Sequence, residues 1–346
     1  MRTVLITGGA GFFGELLKQR LLDNGFQCVS IDLEEDHTAH PNLISIWGDI
    51  RRTETLEALF SKHKFEAIYH LAAILAHAVK DVNFLWTCNV DGTRNIAEFA
   101  KRYKVPKVVF TSSNCLWAED FGRRVRETDV PKPAEVYGLS KWEGEKILLE
   151  HTGDFDSIIF RCPTIIDEGR LGLLSILFEF IDEGRKVWVV GGGDNTYQFI
   201  YGQDLAEACL KALDYRGGSN VFNIGSDHVK SFREVYDYVI RKAGTGARVA
   251  SLPRALAIPS MKLAYKLKLS PLGPYQYKMI ASSFEFDTTR IKQNLDWKPT
   301  LTNEEMLYKA YNYYHTNAAE IRARANVSAH KQPAKMGVIR VLKILS

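Results

Sequence analysis

The sequence predicts an α/β fold: a doubly wound parallel sheet followed by a smaller C-terminal α/β lobe. Three observations predict it. Thr3 to Thr7 is an apolar, β-branched run. Gly8, Gly11 and Gly14 follow it three apart, ahead of a helix-period segment, Glu15 to Leu22, with Leu16, Leu17, Leu21 and Leu22 on one face. Strand-like and helix-like segments then alternate through the first half, as right-handed crossovers between parallel strands require. After Pro163 the alternation loosens. A strand, a glycine turn and a helix in that order make a dinucleotide cradle of the Rossmann type. One glycine makes the tight turn, one admits a pyrophosphate, and one lets helix and strand pack closely.

The elements follow in order. Phe26 to Ile31 is the second strand and ends at Asp32, about twenty residues after the glycines, where a carboxylate accepts from an adenosine ribose and repels a 2′-phosphate. No Arg or Lys lies between Gln27 and Asn42, which favours NAD over NADP. Leu43 to Ile46 is a short strand leading to Asp49, placed to face an adenine amino group. Thr53 to His63 is a helix. Phe65 to Leu71 is a strand running into His70-Leu71-Ala72-Ala73, whose small residues leave room for a cofactor. Val82 to Tyr103 reads as one long amphipathic helix containing Asn89. Val105 to Ser112, helix Ala134 to His151 and strand Ser157 to Arg161 complete the first half. Beyond Pro163 come helix Leu171 to Glu183, strand Val187 to Val190, the turn Gly191 to Asn195 and strand Gln198 to Tyr201. Helix Asp204 to Leu213, strand Val221 to Ile224 and helix Ser231 to Ala243 follow. Arg254 to Lys268, Tyr275 to Ser283 and Asn303 to Tyr314 close the pattern. We place a nucleotide-binding domain at 1–165, with some elements of 190–225 returning to it. A substrate lobe spans 166–315 and a basic tail 316–346.

The chain of 346 residues, 46% hydrophobic and 25% charged, is long enough for one large or two modest domains. Its net charge of +4 resides in the tail. Residues 316–346 carry six basic groups and one acid, which leaves −1 for the body and argues against nucleic-acid binding there. Five scattered cysteines form no C-x-x-C pair, so neither a disulfide framework nor a metal site is expected. No stretch is long and apolar enough to span a bilayer, and a cytoplasmic protein is expected.

Tyr137 and Lys141 lie four apart at the start of a helix and share one face. A phenol has a pKa of about 10 and is a poor base. A nearby ammonium favours the phenolate. Tyr137 is thus the candidate acid/base, Lys141 its tuner and the holder of a nicotinamide ribose. Ser113, at a strand end, is the hydrogen-bond partner of the reacting oxygen. The bland alternative is a surface tyrosine beside a solvated lysine.

With these residues in view, the chain resembles the extended short-chain dehydrogenase/reductases of the NAD-dependent epimerase/dehydratase family. The likeness rests on Thr7 to Gly14, His70 to Ala73, Asn89 to Thr93, Thr111 to Ser113, and Tyr137 to Lys141 with Glu143-Gly144-Glu145. Phe199 to Ala206, Phe222 to Gly225 and Asp287 to Pro299 extend it. The resemblance implies a Ser113–Tyr137–Lys141 catalytic set, a bound NAD, a nucleotide-sugar substrate and a homodimer. It places cofactor contacts at Gly8, Gly11, Phe12, Phe13, Gly14, Asp32, Asp49, Ile50, Leu71, Ala72, Ala73, Asn89 and Pro163, besides Tyr137 and Lys141.

The departures bear on substrate. The dehydratases of the family follow the hydroxyl residue with Asp-Glu. Here Ser113 is followed by Asn114 and Cys115, which disfavours elimination and leaves redox at carbon. The family's diphosphate-reading Arg is Tyr197 here, and a phosphate-touching Asn is Thr164. Either Arg290, Lys278 or another base then supplies the charge, or the substrate carries less of it. His77, Asn114, Cys115, Thr164, Tyr197 and Arg290 form the candidate substrate site. Glu143, Glu145 and Lys146 read as a solvated helix face, and His70 as a structural histidine.

Two basic segments have double readings. Arg254 to Lys268 is either a lobe helix over the substrate or an interfacial helix on an anionic membrane. The tail, with Val338, Ile339, Val341, Leu342, Ile344 and Leu345, docks on the body, caps a dimer or makes a weak membrane or partner contact. The leading expectation is an NAD-dependent epimerase acting at a hydroxyl-bearing carbon. Its alternatives are an NAD-dependent dehydrogenase or reductase of a keto-sugar, sterol-like or other small alcohol with exchanging cofactor, and a non-catalytic NAD-sensing scaffold.

Overall fold

A computed structural model describes residues 2–75, 81–117, 120–267, 269, 279–323 and 343. Among them the strands are β1 (Thr3–Thr7), β2 (Gln27–Asp32), β3 (Leu43–Trp47), β4 (Ala67–His70), β5 (Lys107–Ser113), β6 (Asp156–Cys162), β7 (Thr164–Ile166), β8 (Lys186–Val190), β9 (Phe199–Tyr201), β10 (Asn220–Asn223) and β11 (Arg248–Leu252). The helices are α1 (Phe12–Asp23), α2 (Thr53–Phe60), α3 (Val82–Trp86), α4 (Gly92–Arg102), α5 (Val136–Glu150), α6 (Leu174–Asp182), α7 (Gly202–Asp214), α8 (Phe232–Ala243), α9 (Arg254–Lys266), α10 (Thr289–Leu295), α11 (Asn303–Thr316) and α12 (Ala318–Ala323).

Seven strands pair in parallel in the order β10-β6-β5-β4-β1-β2-β3. Val4, Leu5 and Ile6 are completely buried, because a strand covered on both faces has no polar side. Leu17 and Leu21 of α1 pack with Leu205 and Ala208 of α7 and Ile291 of α10 on one face. Leu56, Ile96, Ala97 and Leu148 cover the other, from α2, α4 and α5. Each fully buried leucine contributes roughly 1.5–3 kcal/mol. The sheet is therefore doubly wound. Its last strand, β10, and the helices α7 and α10 come from beyond residue 200.

A second core joins Phe178 and Ile181 of α6, Val187 of β8, Val235 of α8 and Met306 and Tyr311 of α11. Here β8 pairs with β11, and β7 with β9. Helices α8 and α11 both open on capping boxes, Ser231 with Glu234 and Thr302 with Glu305.

The expected helix from Val82 to Tyr103 is interrupted. A π-helical turn, Thr87–Asp91, separates α3 from α4, a local device that periodicity cannot show. Strands β7 and β11 and helix α10 are further elements without a clear periodic signal, being three, five and seven residues long. Residues 275–278 of the expected segment Tyr275 to Ser283 fall outside the described residues, as do His77 and the tail residues Val338, Ile339, Val341, Leu342, Ile344 and Leu345. No helix among the described residues is long and apolar enough to cross a membrane.

Candidate active site

The glycine turn is built by steric exclusion. Gly8 has φ +76°, and a Cβ there would lie 2.7 Å from the Ala72 nitrogen. A Cβ on Gly14 would lie 2.1 Å from the Gly8 carbonyl oxygen. These two glycines let β1, β4 and α1 converge. At Gly11 an added Cβ would meet only the Gly8 oxygen, at 3.2 Å, so the space above this residue is open. Gly11 starts α1 with no side-chain cap, leaving first-turn N–H groups for an anion. Phe12 and Phe13 are buried beneath. The turn thus has the room and the donors a pyrophosphate needs.

Asp32 accepts from the Ala10 N–H at 2.9 Å and the Glu34 N–H at 3.0 Å, so it fastens the glycine turn while remaining half-buried beside it. Lys18 is buried and paired with Asp36 at 2.5 Å, donating also to the Gly9 carbonyl. That cation is neutralised by its partner, so it offers little to a 2′-phosphate. Asp49 is held in a fork by Arg51 at 2.6–3.1 Å. Ile50 packs where a Cβ on Gly92 would stand, 2.8 Å from its Cδ1.

Beside the turn, the Leu71 N–H donates to the Thr7 carbonyl at 3.1 Å. The Ala72 N–H meets the Thr7 hydroxyl at 3.3 Å, and half-buried Ala73 follows. His70 is completely buried, with Nδ1 2.7 Å from the Thr7 hydroxyl and Nε2 2.8 Å from that of Thr93. Thr93 donates to the Asn89 carbonyl at 2.6 Å. Its oxygen therefore accepts from Nε2–H, and Nδ1 accepts from Thr7. Burial, then the charge of Lys141, lowers His70 to about 3, so it stays neutral. A hydrogen-bonded line thus runs from β1 to the π-helical turn. There the Asn89 side chain bonds both backbone groups of Ile74 (2.7 and 3.0 Å) and the Ser140 hydroxyl (3.0 Å). Ser140 in turn donates to the Tyr137 carbonyl at 2.8 Å.

Ser113, Tyr137 and Lys141 meet at the C-terminal end of the sheet. The Ser113 and Tyr137 hydroxyls are hydrogen-bonded to one another. Lys141 is buried with Nζ 4.2 Å from the centre of the Phe110 ring. Both Tyr137 and Lys141 lie close to Cys115 and Cys162. Gly138 lets α5 reach this position: a Cβ there would be 2.2 Å from the Cys115 carbonyl oxygen.

Burial pushes the Tyr137 phenol up, reinforced by Cys115 and Cys162. Arg170 and the Ser113 hydrogen bond act the other way. Burial lowers Lys141 to about 8. The expected downward tuning of Tyr137 by Lys141 is therefore not what dominates; desolvation does. Arg170, in the loop before α6, reaches this region with its guanidinium 5.6 Å from the Phe12 ring centre. Sequence reasoning missed it, since no motif marks that loop.

The candidate substrate residues divide. Cys115 is half-buried, and its N–H donates to the Ser113 hydroxyl at 3.1 Å. Asn114 is buried and donates to the Tyr197 hydroxyl. Tyr197 is itself buried, packed among Phe199, Phe232 and Phe284. It fills the position with a ring where the family pattern has a cation. Buried Pro163 and half-buried Thr164 follow β6, and Thr164 starts β7 opposite Phe199. Arg290 lies at the start of α10, 3.7 Å from Glu127, which accepts from the Asn223 N–H of β10.

One reading is corrected outright. Glu145 is not on a solvated face. It is fully buried and receives Arg161 of β6 at 2.7–3.2 Å through three N···O contacts. Glu143 and Lys146 do pair on the accessible side, at 2.5 Å.

Residues 4–225 match the model of the NAD dependent epimerase/dehydratase family. An uncharacterised protein, y4nG, of Sinorhizobium fredii is 34% identical over 99% of this chain and 86% of its own length. A UDP-glucose 4-epimerase of Mycolicibacterium smegmatis is 28% identical over 91% of this chain and 98% of its own. The Bordetella bronchiseptica enzyme WbmG, solved in complex with NAD, superimposes with a TM-score of 0.76 at 19% identity, covering 97% of each chain. A family match over more than half of the chain, on a cradle with room and donors for a dinucleotide, settles the assignment: this chain belongs to the NAD-dependent epimerase/dehydratase family.

Proposed function

We propose that the chain is an epimerase of a nucleotide sugar, inverting a hydroxyl-bearing carbon through a transient ketone. The observation that carries this is the convergence of Ser113, Tyr137 and Lys141 beside the glycine cradle, with Asn114 and Cys115 where a dehydratase would hold acids. Bound NAD supplies the acceptor and donor of a hydride. Gly8, Gly11 and the first turn of α1 take the pyrophosphate, and Asp32 takes the adenosine ribose.

Tyr137 removes the hydroxyl proton as the carbon is oxidised and returns it when the carbon is reduced from the other face. Ser113 holds that oxygen. Lys141 holds the nicotinamide ribose and brings a positive charge to the site, and the charge of Arg170 opposes the desolvation of the phenol. The proton and the hydride are both returned, so no external oxidant is consumed.

A second reading has its own support. Tyr197 places an aromatic ring, tied to Asn114, where a diphosphate would meet a cation. That favours a less anionic substrate and a dehydrogenase with exchanging NAD.

The test is made on the protein as purified. It is denatured and the released nucleotide quantified; the native protein is then incubated with UDP-hexoses and UDP-pentoses and the 4-epimer followed by NMR. Stoichiometric NAD and interconversion, abolished in Tyr137→Phe at unchanged NAD content, is the expected result. An empty protein that oxidises an alcohol only with added NAD overturns the epimerase in favour of the dehydrogenase.

A further inference from the structure

Helix α9 packs on the C-terminal lobe through one narrow strip. Ala257 is its one buried residue, and Ile258 and Met261 complete the contact with Val190 and Ala281. The other side is apolar as well. Leu256, Leu263 and Leu267 are 68%, 59% and 57% exposed. They stand at i, i+7 and i+11, which at 3.6 residues per turn places them within about 20° of one line. Lys262 and Lys266, both exposed, lie together along one side of that line. Leu269, just past the end of the helix, is exposed as well. A leucine stripe turned away from the core has no role in holding the lobe together, and isolated exposed apolar residues do not align in this way.

The charge around the helix is one-sided. Between Asp237 and Glu285 there is no acidic residue, and eight are Lys or Arg. Since the whole chain sums to +4, the rest sums to −4. A second copy of this chain meeting α9 with its own α9 would be repelled. A surface that takes both leucines and lysines is apolar within and anionic at its rim, as an anionic bilayer is.

We propose that α9 is an interfacial helix that seats this protein on an anionic lipid surface, leucines inserted and lysines at the headgroups. The contact is peripheral: a short helix holds through a few side chains and acidic lipid, so it is reversible and weakened by salt. Apart from the basic tail at 316–346 the remaining chain sums to −9, which fixes the orientation, since those faces are less attracted.

The full-length protein is sedimented with vesicles of phosphatidylcholine alone and of phosphatidylcholine containing about 30% phosphatidylglycerol. Binding to the anionic vesicles only, falling as salt is raised, is expected. Leu256→Glu with Leu263→Glu should weaken it at least about tenfold. Lys262→Gln or Lys266→Gln should each weaken it about fivefold, from roughly one headgroup interaction per lysine. Retained NAD content and an unchanged thermal melt confirm that the variants fold. Failure to sediment with anionic vesicles overturns the proposal. Sedimentation undiminished in the leucine variant also overturns it. So does a fall in oligomeric state in that variant, which would make the stripe an interface between copies.

Discussion

Lys141 meets two opposed demands. Its charge is wanted beside Tyr137, yet burial, with the Phe110 ring against it, holds it at about 8 rather than 10.5, while Cys162, Glu145 and Cys115 act the other way. Folded, it releases its proton near pH 8; unfolded, only near 10.5. Across that window the unfolded chain binds more protons, so stability rises with pH there, and below it the whole penalty is present. Lys141→Met should therefore melt higher than the natural protein below about pH 8, with the advantage shrinking toward pH 10.5. Activity should fall at least about 100-fold. Melts of both proteins across that range check the first expectation, and turnover at saturating substrate the second. At this scale the sequence was readable where spacing alone defines a face, as for Tyr137 and Lys141. It was not readable for Arg170, which arrives from another lobe.

Helix α5 carries Tyr137 and Lys141, the proposed catalytic residues, and its anchor to the sheet is the Glu145–Arg161 pair. Side-chain exposure is 0% and 4%, and Arg161 also donates to the Glu127 carbonyl at 3.0 Å and lies 5.1 Å from the Trp117 ring centre. Removing one partner strands a buried charge, at a cost of about 3–5 kcal/mol. Glu145→Ala should lose that much in urea unfolding, whereas Glu143→Ala, on the accessible side, should change stability by less than about 1 kcal/mol. From sequence the two glutamates two apart look equivalent. Only the position of β6 against α5 separates them. The π-helical turn is a similar case. Its residues carry ordinary helix signals, and the extra residue per turn is stabilised by bonds to Ile74 and Ser140 from other elements.

For the whole molecule, the cradle draws on widely separated stretches: Gly8 to Gly14, Asp32, Leu71 to Ala73, Asn89 and the first turns of α5. A ligand spanning them binds the folded chain and not the unfolded one. Added to protein freed of its bound nucleotide, NAD at about 100 times its Kd should raise stability by about 2.7 kcal/mol, and the melting temperature by roughly 4 °C. NADP at the same concentration should give a clearly smaller rise, because Asp32 opposes its extra phosphate. Differential scanning fluorimetry with each nucleotide reads this, and an equal rise would remove Asp32 as the selector.

The sequence by itself determined the parallel doubly wound sheet, the glycine turn and the family. Those rest on local physics: continuous apolar strand runs, period-3.6 helix faces, glycines where no Cβ fits, and fixed spacing along a helix. The tertiary structure decided what local pattern leaves open. It buried Glu145 and Tyr197, broke a helix at Asn89, brought Arg170 toward Tyr137 and left the leucines of α9 outside. Whether a polar or apolar side chain is buried, paired or exposed depends on which distant element covers it, and no spacing along the chain encodes that neighbour.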